Sequence, residues 1–236
     1  VLINKTKWII ILALVLIITS LASARTVSQY YVRSHLEPGL ELQEALNNMA
    51  ASDSYRFSLQ SGFTVDDRRE VISEVDGEKQ QGNTHIKGEM VNTPVDIYYL
   101  DRTIYNYDSL ANKWLVIDSG TSNSEELLIS ELNPLSNFRF KNINQVEKVK
   151  FDNVDGMECL LVKCNPTVES GLLDNLWKDF QYLIWVDYKN SIIRKASLTA
   201  ASKRSDKTNL EINVGFSDFG KNMEIKAPMI SSSNKK

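Results

Sequence analysis

Cysteine and histidine are scarce in this chain, with two of each among 236 residues. Cys159 and Cys164 sit five positions apart in "MECLLVKC". In an extended run that odd spacing turns the side chains to opposite faces about 16 Å apart, beyond the reach of a disulfide. Two packed thiols are the expectation. His35 and His85, without any paired CxxC unit, do not make a zinc set. Positive charge is not in excess either: 27 Lys and Arg face 30 Asp and Glu, for a net charge of -3 and a pI near 5.6. That lacks the basic footprint of a nucleic-acid binder. Five prolines and ten glycines are too few and too scattered for a Pro-rich linker. The sequence also has no GxSxG elbow, no HExxH, no phosphate-binding glycine loop and no Cys–His pairing in a nucleophile's context. The chain therefore reads as non-enzymatic, with no cofactor and no metal.

One long hydrophobic run is present, at the amino terminus. Lys5 and Lys7 precede an uncharged aliphatic stretch from Trp8 to Ser20. Extended to Ala24 it covers about 17 residues, at the lower limit for a bilayer span and longer than a signal-peptide core requires. Ala22 and Ala24 flank Ser23 as a cleavage-like site, so residues 1–24 are expected to be a signal peptide or an uncleaved membrane anchor. The flanking lysines place residues 25 onward outside the cytoplasm. "LAS" is followed by Ala24, where a bacterial lipoprotein would carry its lipidated cysteine.

The remainder suits one domain, expected over 38–228 after a linker at 25–37 and before a polar tail at 229–236. "EPGLELQEALNNMAAS" predicts a helix, with Pro38 in its first turn and Leu42, Leu46 and Met49 on one stripe. The period then drops to two: Tyr55, Phe57, Leu59, Phe63 and Val65 share one face of a strand. Asp76-Gly77 and Asp155-Gly156 have the chemistry of two-residue hairpin turns, and Lys189-Asn190 joins two further strands. "PVDIYYLD", "TIYNYD" and "KWLVID" are short strands. Ser122-x-x-Glu125 predicts a capped helix ending near Pro134. "PTVESGLLDNLWKDF" spaces Leu172, Leu173, Leu176, Trp177 and Phe180 as a second covering helix. Three strands finish the chain, "FQYLIWVDY", "SIIRKASLTA" and "TNLEINVGF", the last with Leu210, Ile212, Val214 and Phe216 on one face. The expected fold is α+β and mostly β: a single large curved antiparallel sheet of about eleven strands, an open half-barrel, with about three helices over it.

That order of elements, together with "ALNNMAASDSYRFSL" and "YLIWVDYKNSIIRKASLTA", resembles the LolA-like superfamily over roughly residues 38 to 220. The group takes in periplasmic lipoprotein carriers, envelope lipoproteins of the LppX and LprG type, and the RseB sigma-factor regulator. The resemblance implies a half-barrel with helices over its mouth, holding an apolar cavity for acyl chains or another hydrophobic ligand. It makes this chain an extracytoplasmic, membrane-associated binding domain; a protein-interaction or sensing ectodomain of the RseB-like kind is the alternative. The partners implied are a lipid or other apolar ligand, an envelope protein, and the membrane through residues 8–24 if they are not cleaved. Nucleic acid is not among them.

The candidate lining residues are Tyr55, Phe57, Leu59, Tyr99, Trp114, Tyr182, Ile184 and Val186 on the sheet. Leu128, Leu132, Leu173 and Trp177 are the candidates on the helices. The same apolar faces would equally suit a filled core, and periodicity does not choose between the two. Asp66, Asp67, Asp101 and Asp108 fall in turns, where carboxylates are turn formers rather than a glycosidase pair. His85 alternates with Lys87 and Glu89 as an expected surface histidine, and Arg194, Lys195, Lys203 and Arg204 as a solvated edge.

Overall fold

The computed structural model describes residues 7, 8, 10, 12, 13, 15, 27, 28, 30–66, 68–118, 140–143, 145–168 and 171–230. The chain divides into two compact units, Val1–Glu37 and Pro38–Lys236. The first unit is helical at residues 7, 8, 10, 12, 13, 15, 27, 28 and 30–35. Among the described residues no helix is long and apolar enough to cross a membrane.

The second unit begins with helix α1 (Pro38–Ala51). A meander follows: β1 (Ser54–Val65), β2 (Arg68–Gln80), β3 (Asn83–Met90), β4 (Thr93–Leu100), β5 (Thr103–Asp108) and β6 (Lys113–Asp118). Next come β7 (Phe140–Asn142), β8 (Glu147–Val154), β9 (Met157–Cys164), β10 (Thr167–Val168) and helix α2 (Gly171–Leu176). The last strands are β11 (Trp177–Asp187), β12 (Ile192–Ser202) and β13 (Thr208–Ser217). Eleven strands form one antiparallel sheet in the order β6-β5-β4-β3-β2-β1-β13-β12-β11-β9-β8, and β7 pairs only with β10. β1 and β13 lie side by side at the centre, with Leu59 opposite Val214 and Phe57 opposite Phe216. The terminal strands β6 and β8 do not pair with each other, so the curved sheet stays an open half-barrel.

One face of the sheet is apolar because the strands keep their two-residue period. Val162, Ile184, Ala196, Val214, Leu59 and Val75 follow one another across six strands in a single row. Helix α1 lies on the β8–β9–β11–β12 end of the unit and buries Leu42, Ala45 and Met49. Leu46, expected on the same stripe, is half-buried at its margin.

Tight turns join the strands, and several have positive φ at both central residues: Val91-Asn92, Asp101-Arg102 and Asp155-Gly156. The expected hairpin at Asp76-Gly77 does not form. β2 runs straight through it and turns at Gln81-Gly82 instead, with Gln80 opposite Asn83. Gly77 serves a close approach: it lies opposite Phe57, and a Cβ there would stand 2.1 Å from the ring's Cζ. The expected count of about eleven strands in the large sheet survives the error, because the stretch after Asp76 already contained one turn that the reading left inside a strand; the β7–β10 pair was not expected.

The second expected helix is shorter than its apolar spacing suggests. α2 ends at Leu176, and Trp177 and Phe180 belong to β11. A bulge sets Asp179 and Phe180 against the single residue Ala200, with Asp179 at φ 56°. Residues three apart thereby face the same way, and Trp177 and Phe180 both enter the core. The helix expected from Ser122 to Pro134 lies outside the described residues.

A buried ion pair fastens the β11–β12 turn. Asp187 is almost fully buried and accepts hydrogen bonds from Asn190 Nδ2 at 2.8 Å and Arg194 Nη2 at 3.0 Å. Arg194 is thus an internal partner, not part of a solvated edge. Burial pushes the Asp187 carboxyl up, but the bonds from Asn190 and Arg194 outweigh it and hold the group below the usual carboxylate range.

Two outcomes are expected. Gly77→Ala forces Phe57 to move and should cost about 1–3 kcal/mol in denaturant unfolding, whereas the same change at open Gly39 should cost far less. Asp187→Asn leaves Arg194 without its counter-charge and should cost about 3 kcal/mol at pH 7. Because the folded carboxyl is the stronger acid, its contribution is complete above the unfolded value of about 3.9 and lost as pH falls through the lower folded value. The gap between wild type and Asp187→Asn should therefore narrow as pH falls below the unfolded value of about 3.9 and close once the folded carboxyl is protonated.

Candidate functional site

The apolar face is densely filled at one end and half-open at the other. Under α1 and around α2, Tyr182, Ile184, Val186, Leu160 and Val162 are completely inaccessible to solvent. Towards β1–β4 the same face carries Leu59, Phe63, Met90 and Val95, with Ile212 of β13, all only partly buried against that core. The register continues this floor into the β5–β6 wing, where Ile117 lies opposite Ile104 and Leu115 opposite Asn106. Leu115 is 39% exposed and Ile117 37% exposed. At the margin between α1 and β7, a depression of about 350 Å³ is lined by Gln43, Leu46, Phe140, Lys141, Asn142 and Ile143. Phe140 meets Tyr182 edge-on at 4.9 Å there.

Most of the expected lining residues come together on this face. Tyr55, Phe57, Tyr182, Ile184, Val186, Leu173 and Trp177 belong to one buried cluster, with Leu59 at its edge. Trp177 stacks on Phe63 at 5.4 Å. Tyr99 is opposite Ile104 and so shares the face, half-buried. Trp114 does not: it pairs with Tyr107 on the other side of the sheet. Leu128 and Leu132 lie outside the described residues. Met90, Val95, Ile212, Leu115 and Ile117 were missed, although the alternation of β4, β6 and β13 was the signal that could have found them.

The buried end of this face is apolar and uncharged. Burial pushes the Cys164 thiol up to about 12 and raises the Tyr182 phenol, so both stay neutral inside the core. Cys159 faces the opposite side of β9, also buried, and burial next to Asp187 pushes its thiol up to about 11. Both thiols are free. Among the described residues no three His, Cys, Asp or Glu side chains gather as a metal-ligand set. Asp108 accepts bonds from the amides of Leu110 and Ala111, Asp66 pairs with Lys207, and Asp101 turns the chain at φ 47°. These carboxylates shape turns; Asp67 lies outside the described residues.

No protein-family model matches the sequence, and no curated protein matches it. Solved structures do resemble it. LprF from Mycobacterium bovis superimposes with a TM-score of 0.53 at 14% identity, covering 80% of this chain and 95% of that one. Mycobacterium tuberculosis lipoprotein LppX gives a TM-score of 0.53 at 12% identity, over 79% of this chain and 97% of that one. The protein shares its fold with these two structures.

The buried thiols give a direct check on the packing. Cys159 and Cys164 in the native chain should be modified by a thiol reagent at pH 8 at least about a hundredfold more slowly than in the unfolded chain, since only the thiolate reacts. Rapid native labelling of either would show that the core is not closed there.

Proposed function

We propose that this protein binds an acyl chain or a similar hydrophobic ligand on the inner face of its half-barrel, as an extracytoplasmic domain of the cell envelope. The observation that carries the reading is the half-open apolar floor: Leu59, Phe63, Met90, Val95 and Ile212 border a fully packed core yet remain accessible. A sheet that needed only stability would bury such side chains, and pockets for apolar ligands are lined in this way. The LolA-like fold and the uncharged amino-terminal stretch from Trp8 to Ser20 support the envelope location, with residues 1–24 as export signal or tether. The domain is a binding module and not an enzyme, as the turn-forming roles of Asp66, Asp101 and Asp108 support.

Titration of the full chain with an environment-sensitive fluorescent fatty acid tests this. Saturable binding is expected. Leu115→Asp and Val95→Asp should each weaken it at least about tenfold, or about 1.4 kcal/mol, with unchanged far-UV circular dichroism. Absence of saturable binding, together with no apolar molecule retained in native mass spectrometry, would mean a filled barrel and favour a protein-interaction domain.

A further inference from the structure

The opposite face of the same wing carries an aromatic surface that the hydrophobic-ligand reading does not use. Strict alternation puts Tyr99, Ile97 and Ile104 on the inner side, and therefore Tyr98, Tyr105, Tyr107 and Trp114 on the outer side. The register lines up His85, Tyr98, Tyr105 and Val116 in one row across four strands, with Tyr107 and Trp114 paired in the next. His85 stacks on Tyr98 at 3.9 Å, Trp114 meets Tyr98 edge-on at 5.6 Å, and Tyr107 tilts against Trp114 at 5.1 Å. All of these rings remain half-buried, so the patch is packed from within and open from without. Val116 beside them is 52% exposed.

Polar groups frame the rings. Asp96 Oδ1 lies 2.9 Å from His85 Nε2, and its other oxygen is 3.9 Å from Lys87 Nζ. The Tyr107 hydroxyl donates to Asn112 Oδ1 at the far side. Burial, with Asp96 and Glu78 close by, raises the Tyr98 phenol and keeps its hydroxyl protonated as a donor. His85 and Lys87 also line a groove of about 730 Å³ that continues across β2, β1 and β13 over the small residues Ser58, Gly215 and Ser217. Among its charged lining groups, Arg56 and Lys87 face Asp76, Glu78 and Asp155. Acid already outnumbers base there, and the nearby Asp96 adds to the excess.

We infer that this outer face binds a pyranose glycan lacking phosphate and sulfate. The aromatic rings offer stacking surfaces for the C–H faces of sugar rings, and the Asp96–His85 pair and Asn112 offer hydrogen bonds to their hydroxyls. The groove gives a linear oligomer room to continue beyond the rings. The acidic balance disfavours anionic polymers such as nucleic acid or teichoic acid. Lipid is disfavoured too, because its tails would leave the ring-flanking carboxylate and amide facing hydrocarbon. The inner and outer faces of the wing then take ligands of different chemistry.

The test uses the full chain in affinity electrophoresis and titration calorimetry with chitohexaose, cellohexaose and mannohexaose, and with heparin as anionic control. Binding of at least one neutral oligomer is expected. Trp114→Ala and Tyr107→Ala should each weaken it at least about tenfold, and Trp114→Phe should keep it within about threefold. Leu115→Asp on the inner face should leave glycan affinity within about twofold, and Trp114→Ala should leave fatty-acid binding unchanged, so the two proposals fail separately. The inference is overturned if none of the three neutral oligomers binds, if heparin binds more tightly than they do, or if both alanine variants retain affinity with unchanged thermal unfolding.

Discussion

The pairing of the first strand with the last governs this structure. β1 is made immediately after α1, and β13 is the final strand of the chain, yet they are neighbours over ten residue pairs from Arg56–Ser217 to Val65–Thr208. Closing so long a loop is entropically costly, and the return is a continuous apolar row across both halves. Without that contact the β1–β6 meander and the β8–β13 segment would each be an open sheet with an unsheltered apolar face. With it, both halves share one apolar face, and α1 packs on one end of that face.

The two halves then divide the work. The end under α1 is conventional core, and Asp187, the one fully buried charged side chain among the described residues, is tolerated because Asn190 and Arg194 satisfy it. The other half extends from β1 to β6, where apolar side chains remain accessible inside and aromatic ones outside. Neither surface suits a protein evolved only to be compact, since both leave apolar area in water that a few polar substitutions would remove. Because a strand's neighbouring residues point to opposite faces, the inner and outer surfaces of this wing are built from interleaved positions and can differ in chemistry.

Much of this was legible beforehand. The period-two pattern of β1, β11 and β13 and the period change after α1 are properties of the chain's own stereochemistry, and the number of strands followed from them. The errors have specific causes. Asp76-Gly77 carries a turn's signature, but the glycine is there for Phe57, a residue on the neighbouring strand. Trp177 and Phe180 carry a helix's spacing, but a bulge reproduces that spacing in a strand. Trp114 was grouped with the inner residues because alternation within β6 defines two faces without saying which one is inner.

Alternation and turn chemistry are local quantities, and by themselves they determined the class of fold and the two-sidedness of every strand. Which side became the interior was decided only in the tertiary structure, by where α1 packs. The same is true of the accessible floor from Leu59 to Ile117 and of the rings gathered around Trp114. The floor depends on the register of β1 with the distant β13, the rings on the register of the successive hairpins β3–β6, and register is settled by joint burial across the sheet, not by any one strand.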